Sequence, residues 1–136
     1  MKITIIAFIS FLSFCSIELN QLSFINSNSG DLIAQDQPDF TKEQLEFAAA
    51  LIEGVSQEEI DALDGAKLFK SNCSSCHGRK GGLGLGGATN LKKSEIDITH
   101  RVAMIYYGKG KMQAYGEQID PTKLVALAQY VETLRK

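Results

Sequence analysis

Asn72-Cys73-Ser74-Ser75-Cys76-His77-Gly78 sets two thiols three residues apart with an imidazole directly after the second. No other stretch of the chain constrains its fold as strongly, because all three side chains must be presented together to one reaction partner. The flanks show what carries them. Ser56-Gln57-Glu58-Glu59 is a capping signature, and Ile60, Leu63, Ala66 or Lys67, and Leu68 continue a helical period towards Cys73. On the other side, residues 78–90 hold six glycines and neither helical nor strand period, which makes a loop able to approach a partner closely.

Further helices follow from the same signals. Thr41-Lys42-Glu43-Gln44 reads as a capping box opening a helix to about Glu53, with Leu45, Ala48, Ala49 and Ile52 on one side and Gly54 ending it. Ser94 to about Tyr107 forms a third helix capped by Ser94, with Ile98, Val102 and Ile105 on one stripe. Asp120 as N-cap and Pro121 at the first helical position open the last, which carries Leu124, Leu127, Ala128, Val131 and Leu134. No strand signal competes, so the expected fold class is all-α without internal repeats.

The N-terminus has a different character. Residues 2–17 are a lysine followed by an apolar run, too short for a conventional membrane span, and read as a secretory signal peptide occupying about 1–34. Ala34 is one candidate cleavage site; an uncleaved membrane anchor is the alternative. Removing the leader also removes Cys15, leaving Cys73 and Cys76 as the only cysteines of an exported protein, a setting that ordinarily oxidises such a pair unless something uses both sulfurs. The expected organisation is therefore the leader, an acidic helical extension at 35–63, and a functional domain at 64–136. Charge divides along that boundary. Eleven acids precede Gly65 against two lysines, while twelve Lys or Arg follow against five acids, a surplus of seven positive charges.

C-x-x-C-H is the attachment sequence of a c-type haem. The two thiols add across the two porphyrin vinyl groups, and the neighbouring imidazole then lies under the iron as axial ligand. A thioredoxin-like redox pair would need a βαβ context that the pattern lacks, and a zinc site would need more ligands than His100 supplies. Candidates for a sixth iron ligand are Met104, Met112 and His100. Met104 and His100 fall on the helical stretch 94–107, where packing or a solvated face is the default. Met112 lies in the glycine-punctuated "GKGKMQAYG", able to offer a thioether from the side opposite His77, and thioether ligation raises the potential as electron carriers require. Cys73, Cys76, His77 and Met112 are the expected haem site, with His77 and Met112 on the iron.

The order helix, "CSSCHG", glycine-rich loop, helix, "GKGKM-x-A-Y", terminal helix resembles a class I cytochrome c over residues 64–136. The "GKGKMQAYG" segment is especially similar to the soluble photosynthetic cytochromes of cyanobacteria and algae. The resemblance implies helices packed around one covalently bound haem, with Gly65 and Phe69 on the first helix meeting Leu127 and Tyr130 on the last. It also implies one-electron transfer between membrane complexes, with no substrate turned over. Donor and acceptor would be complexes such as the cytochrome bf complex and photosystem I or a terminal oxidase, met by transient, electrostatically steered docking in the thylakoid lumen or periplasm; nucleic acid is not an expected partner. An alternative is a haem sensor or peroxidase-like enzyme in which Met112 is displaceable. Three departures stand out: Gln113 follows Met112 where the family usually has proline, a carbonyl in the glycine-rich loop up to Ala88 must serve the proximal histidine, and the helical stretch 40–63 is additional to the compact family domain.

Overall fold

The computed structural model describes residues 39–136, so the leader expected at 1–34 lies outside the described residues. Six helices follow one another: α1 (Lys42–Glu53), α2 (Gln57–Asp61), α3 (Gly65–Asn72), α4 (Ser74–His77), α5 (Ile98–Tyr107) and α6 (Pro121–Thr133). Single 3-10 turns stand at Leu85–Gly87 and Leu91–Lys93, and among the described residues the one extended pairing is an isolated bridge between Lys109 and Met112. The expected all-α architecture is what the chain forms.

Helix α1 starts where its capping box dictates. Thr41 Oγ1 accepts from the Gln44 amide at 3.3 Å while Gln44 Oε1 accepts from the Thr41 amide at 3.0 Å, satisfying two otherwise orphaned donors. Gly54 ends the helix with its amide on the Ala50 carbonyl. Ala48 is fully buried and Leu45, Leu51 and Ile52 partly so, and this stripe packs against α5. Ser56 and Glu59 form the second capping box, but the helix it opens is short. The expected continuous run towards Cys73 breaks at Ala62. Asp64 then starts a new helix, its Oδ1 accepting from the Lys67 amide at 2.9 Å. A short carboxylate bonds a free amide more readily at a cap than inside a helix, which is why Asp64 restarts the chain instead of continuing it.

Helix α5 also starts later than its sequence suggests. Ser94 is buried at the end of a 3-10 turn, and Asp97 is the cap: Oδ1 accepts from the His100 amide at 2.9 Å and Oδ2 meets His100 Nδ1 at 2.7 Å. Burial works to raise the Asp97 carboxyl, but the backbone and side-chain hydrogen bonds from His100 outweigh it and hold the group below its ordinary value. The last helix begins as expected, with Asp120 accepting from the Thr122 amide at 3.0 Å.

Helices α3, α5 and α6 form the centre, and α6 buries Leu124, Val125, Ala126, Leu127, Ala128 and Val131. Where α3 crosses α6, a Cβ on Gly65 would sit 2.7 Å from Tyr130 Cβ and 3.3 Å from the Ala126 carbonyl oxygen. The backbones approach as closely as the missing side chain permits. One turn on, the rings of Phe69 and Tyr130 lie 5.5 Å apart. Arg101, 2 % exposed, pairs with Glu132 on α6 and donates to the Ile96 carbonyl at 3.2 Å, fixing α5 against α6. Removing Glu132 would leave the buried Arg101 guanidinium without its carboxylate. The acidic helices α1 and α2 lie against α5 and α6, where Gln57 and Gln129 exchange side-chain hydrogen bonds at 3.3 and 3.2 Å.

Candidate functional site

Helix α3 delivers the first thiol. The helical ladder carries through to the Cys73 amide, which donates to the Phe69 carbonyl at 2.9 Å; at Cys73 the backbone then departs from helix, with φ −118° and ψ −25°. A separate turn follows, closed by His77 N–H to the Cys73 carbonyl at 3.0 Å. This break turns the two sulfurs to different surroundings: Cys73 is buried and Cys76 exposed, and both are free thiols. Burial, and secondarily the nearby Cys76, pushes the Cys73 thiol up to about 11, so it is held in its neutral form near pH 7.

The glycine-rich loop orients the imidazole. His77 Nδ1 lies 3.0 Å from the Thr89 carbonyl oxygen. With Nδ1 as the protonated donor, Nε2 keeps its lone pair for a metal. The carbonyl belongs to the residue just beyond the expected limit at Ala88. Ala88 leaves the Leu85–Gly87 turn in an extended conformation (φ −61°, ψ 136°), and the following carbonyl reaches back. The loop enters at Gly78 with φ +74°, where a Cβ would come within 2.7 Å of Leu83 Cβ. Only glycine fits both demands. Leu83 and Leu85 are exposed on this loop by 61 % and 60 %.

Met112 sits in a turn tied to the end of α5. Lys109 and Met112 exchange backbone hydrogen bonds of 3.1 and 3.0 Å, and the Met112 side chain is partly buried against the core. Beyond it, the Tyr115 amide donates to the Ile105 carbonyl at 3.0 Å. The Tyr115 hydroxyl donates to the Asn72 carbonyl at 2.7 Å. Burial raises the Tyr115 phenol first, the neighbouring Cys73 adds to this, Gln113 offsets part, and Cys76 raises it further. The structure therefore brings the Met112 loop beside Cys73 and Cys76. It leaves His100 on the first turn of α5, occupied with Asp97 and 6.5 Å from the Phe40 ring. Met104 stays on α5, its carbonyl accepting from the Gly108 amide. Thr89, Tyr115 and Asn72 escape sequence reasoning. Tyr115 alone carries a signal, as an aromatic in a glycine-rich loop.

Residues 60–131, just over half of the chain, match the family model described as cytochrome c oxidase, cbb3-type, subunit III. The chain belongs to this family and is a class I c-type cytochrome. The cytochrome is 34 % identical over 77 residues to cytochrome c6 of Leptolyngbya boryana, an alignment covering 52 % of this chain and 89 % of that one. It is 34 % identical over 85 residues to the cbb3-type cytochrome c oxidase subunit FixP of Bradyrhizobium sp. (strain ORS 278), covering 58 % of this chain and 29 % of the relative. Among solved structures, the KustC0563 c-type cytochrome superposes with a TM-score of 0.50 at 29 % identity, covering 54 % of this chain and all of that one. These likenesses imply a covalently bound haem c and support the role of an electron carrier.

The donor chemistry of this chain fits that group. Two free thiols flank a turn that ends in an imidazole whose Nδ1 is already engaged. A zinc reading finds no support in the grouping of ligands, because among the described residues no three His, Cys, Asp or Glu side chains converge on one ion.

Proposed function

We propose that this cytochrome carries one electron at a time between membrane redox complexes, with Cys73 and Cys76 holding a single haem c by thioether bonds and His77 and Met112 as its axial ligands. The observation that carries the reading is the contact of His77 Nδ1 with the Thr89 carbonyl, immediately after the paired thiols. A bound haem c supplies an iron that cycles between ferric and ferrous states. The chain supplies the rest. Thr89 fixes the tautomer and orientation of His77 and makes it a better donor. The paired backbone of Lys109 and Met112 holds the thioether in a short turn, and a thioether favours the reduced state. Leu83 and Leu85 offer apolar surface that would shield the haem from water.

Among the described residues no helix is long and apolar enough to cross a membrane. We take residues 1–34 as an export signal, residues 35–63 as an acidic extension and residues 64–136 as the haem domain, acting in the thylakoid lumen or periplasm. Likeness to cytochrome c6 and to a cbb3 oxidase subunit supports donors and acceptors of the cytochrome bf, photosystem I or terminal oxidase kind. The test is an absorption spectrum of the purified holoprotein. Electron carriage by His77 and Met112 gives a low-spin, six-coordinate haem with the red methionine–iron charge-transfer band when oxidised, and no binding of carbon monoxide when reduced. A missing band with ready carbon monoxide binding would replace this reading with that of a sensor or peroxidase-like haem.

A further inference from the structure

We infer that Tyr115 is a positioning residue for Met112, its hydroxyl tying the loop of the sixth ligand to the turn that bears the haem thiols. The inference rests on Met112 as axial ligand and concerns what holds it there. At the junction of α3 and α4 the helical ladder is interrupted. The Cys76 amide, which would continue the ladder onto the Asn72 carbonyl, instead donates to the Cys73 carbonyl at 3.3 Å. That frees the Asn72 carbonyl, and a partly buried carbonyl needs a donor. The Tyr115 hydroxyl supplies it at 2.7 Å from 43 residues away.

The same residue is anchored at its other end, since its amide donates to the Ile105 carbonyl at the end of α5. Tyr115 therefore spans from α5 to the attachment turn as a rigid ring with both ends bonded. Met112 is held from the opposite direction by its bridge to Lys109. Between these two fixed points lie only Gln113 and Ala114, both exposed. Their backbone packs on Gly108, where a Cβ would meet Gln113 C and Ala114 N at 2.8 Å, and the Gln118 side chain donates to the Ala114 carbonyl at 2.6 Å. These contacts hold the segment to the end of α5, while the Tyr115 hydroxyl bond ties it to the turn that bears the thiols.

The experiment compares holoprotein with Tyr115→Phe and, as control, Tyr130→Phe in the core against Phe69. The ferric methionine–iron band is followed through an alkaline titration, and global stability is measured in guanidinium. Loss of one hydrogen bond raises the equilibrium for release of Met112 about fivefold, lowering the midpoint at which the band disappears; Tyr130→Phe leaves that midpoint in place. A variant with an unshifted band midpoint, whether or not its guanidinium midpoint falls, overturns the inference, because a merely structural hydroxyl would act on global unfolding alone. If wild-type protein lacks the band, the assignment of Met112 fails and the inference falls with it, an outcome distinct from an unshifted midpoint.

Discussion

Replacing Gly65 with alanine tests the crossing on which the haem domain depends. The new Cβ would lie 2.7 Å from Tyr130 Cβ, inside the 3.0 Å that real Cβ atoms respect, and 3.3 Å from both the Ala126 carbonyl oxygen and Tyr130 Cγ. The first of these neighbours is a Cβ fixed to helical backbone, so no rotamer change relieves it. Helices α3 and α6 must move apart by about 0.7 Å to reach the 3.4 Å of an ordinary contact. Overpacking of this kind costs about 1–3 kcal/mol. Alanine's better helix propensity returns less than its usual ~1 kcal/mol, because Gly65 is the first residue of α3. The expected net loss is about 1–2 kcal/mol, and each kcal/mol lowers Tm by roughly 4–8 °C in a domain of this size. Thermal melting and guanidinium unfolding of the holoprotein measure it. Gly82→Ala is the matched control: its Cβ would meet nothing nearer than Lys92 Cε at 3.5 Å, so stability should hold or rise by about 0.5 kcal/mol. A Gly65→Ala protein as stable as wild type would refute the close-crossing argument.

Met112→His should keep six-coordination while lowering the reduction potential, since imidazole favours ferric iron more than a thioether does; Met104→Leu should leave the methionine–iron band intact, and its loss would move the ligand to Met104. Asp97→Ala should cost about 1 kcal/mol by chemical denaturation through the lost α5 cap. Because the folded Asp97 pKa is lowered from 3.8, its contribution is fully present above that value and disappears as pH falls through the folded-state value. The wild-type advantage over Asp97→Ala should therefore shrink only in strong acid, and an advantage lost already at pH 6 would contradict the assignment. Changing Glu43, Glu46 and Glu53 of α1 to Gln should alter the low-salt rate of electron transfer to an anionic acceptor by less than about twofold, because α1 lies against α5 as solvated surface. A several-fold acceleration that salt abolishes would show that the extension restrains docking.

The helices were legible where a capping side chain and an apolar stripe agree, as at Thr41 with Gln44 and at Asp120 with Pro121. They were misread where two caps compete. Ser94 and Asp97 both suit an N-cap, and the 3-10 turn that claims Ser94 leaves no trace in the residue pattern. Asp64 interrupts a helical period that the apolar positions alone would continue. The cysteines and His77 were legible because their chemistry is local to five residues. Thr89 and Tyr115 were not, since their partners lie 12 and 43 residues away and depend on how the loops close. The stripe on α1 announced that the extension must pack on something, but nothing in it named α5.

The docking of α1 also orders the assembly of the chain. Residues 42–53 are made before every element they rest on, and those elements, α5 and α6, begin only at Ile98 and Pro121. Forming these contacts means closing loops of roughly fifty residues or more, an entropic cost met only once the distant surface exists. The extension therefore settles only once the later helices it rests on are in place. Its early position in the sequence makes its docking wait on helices made long after it.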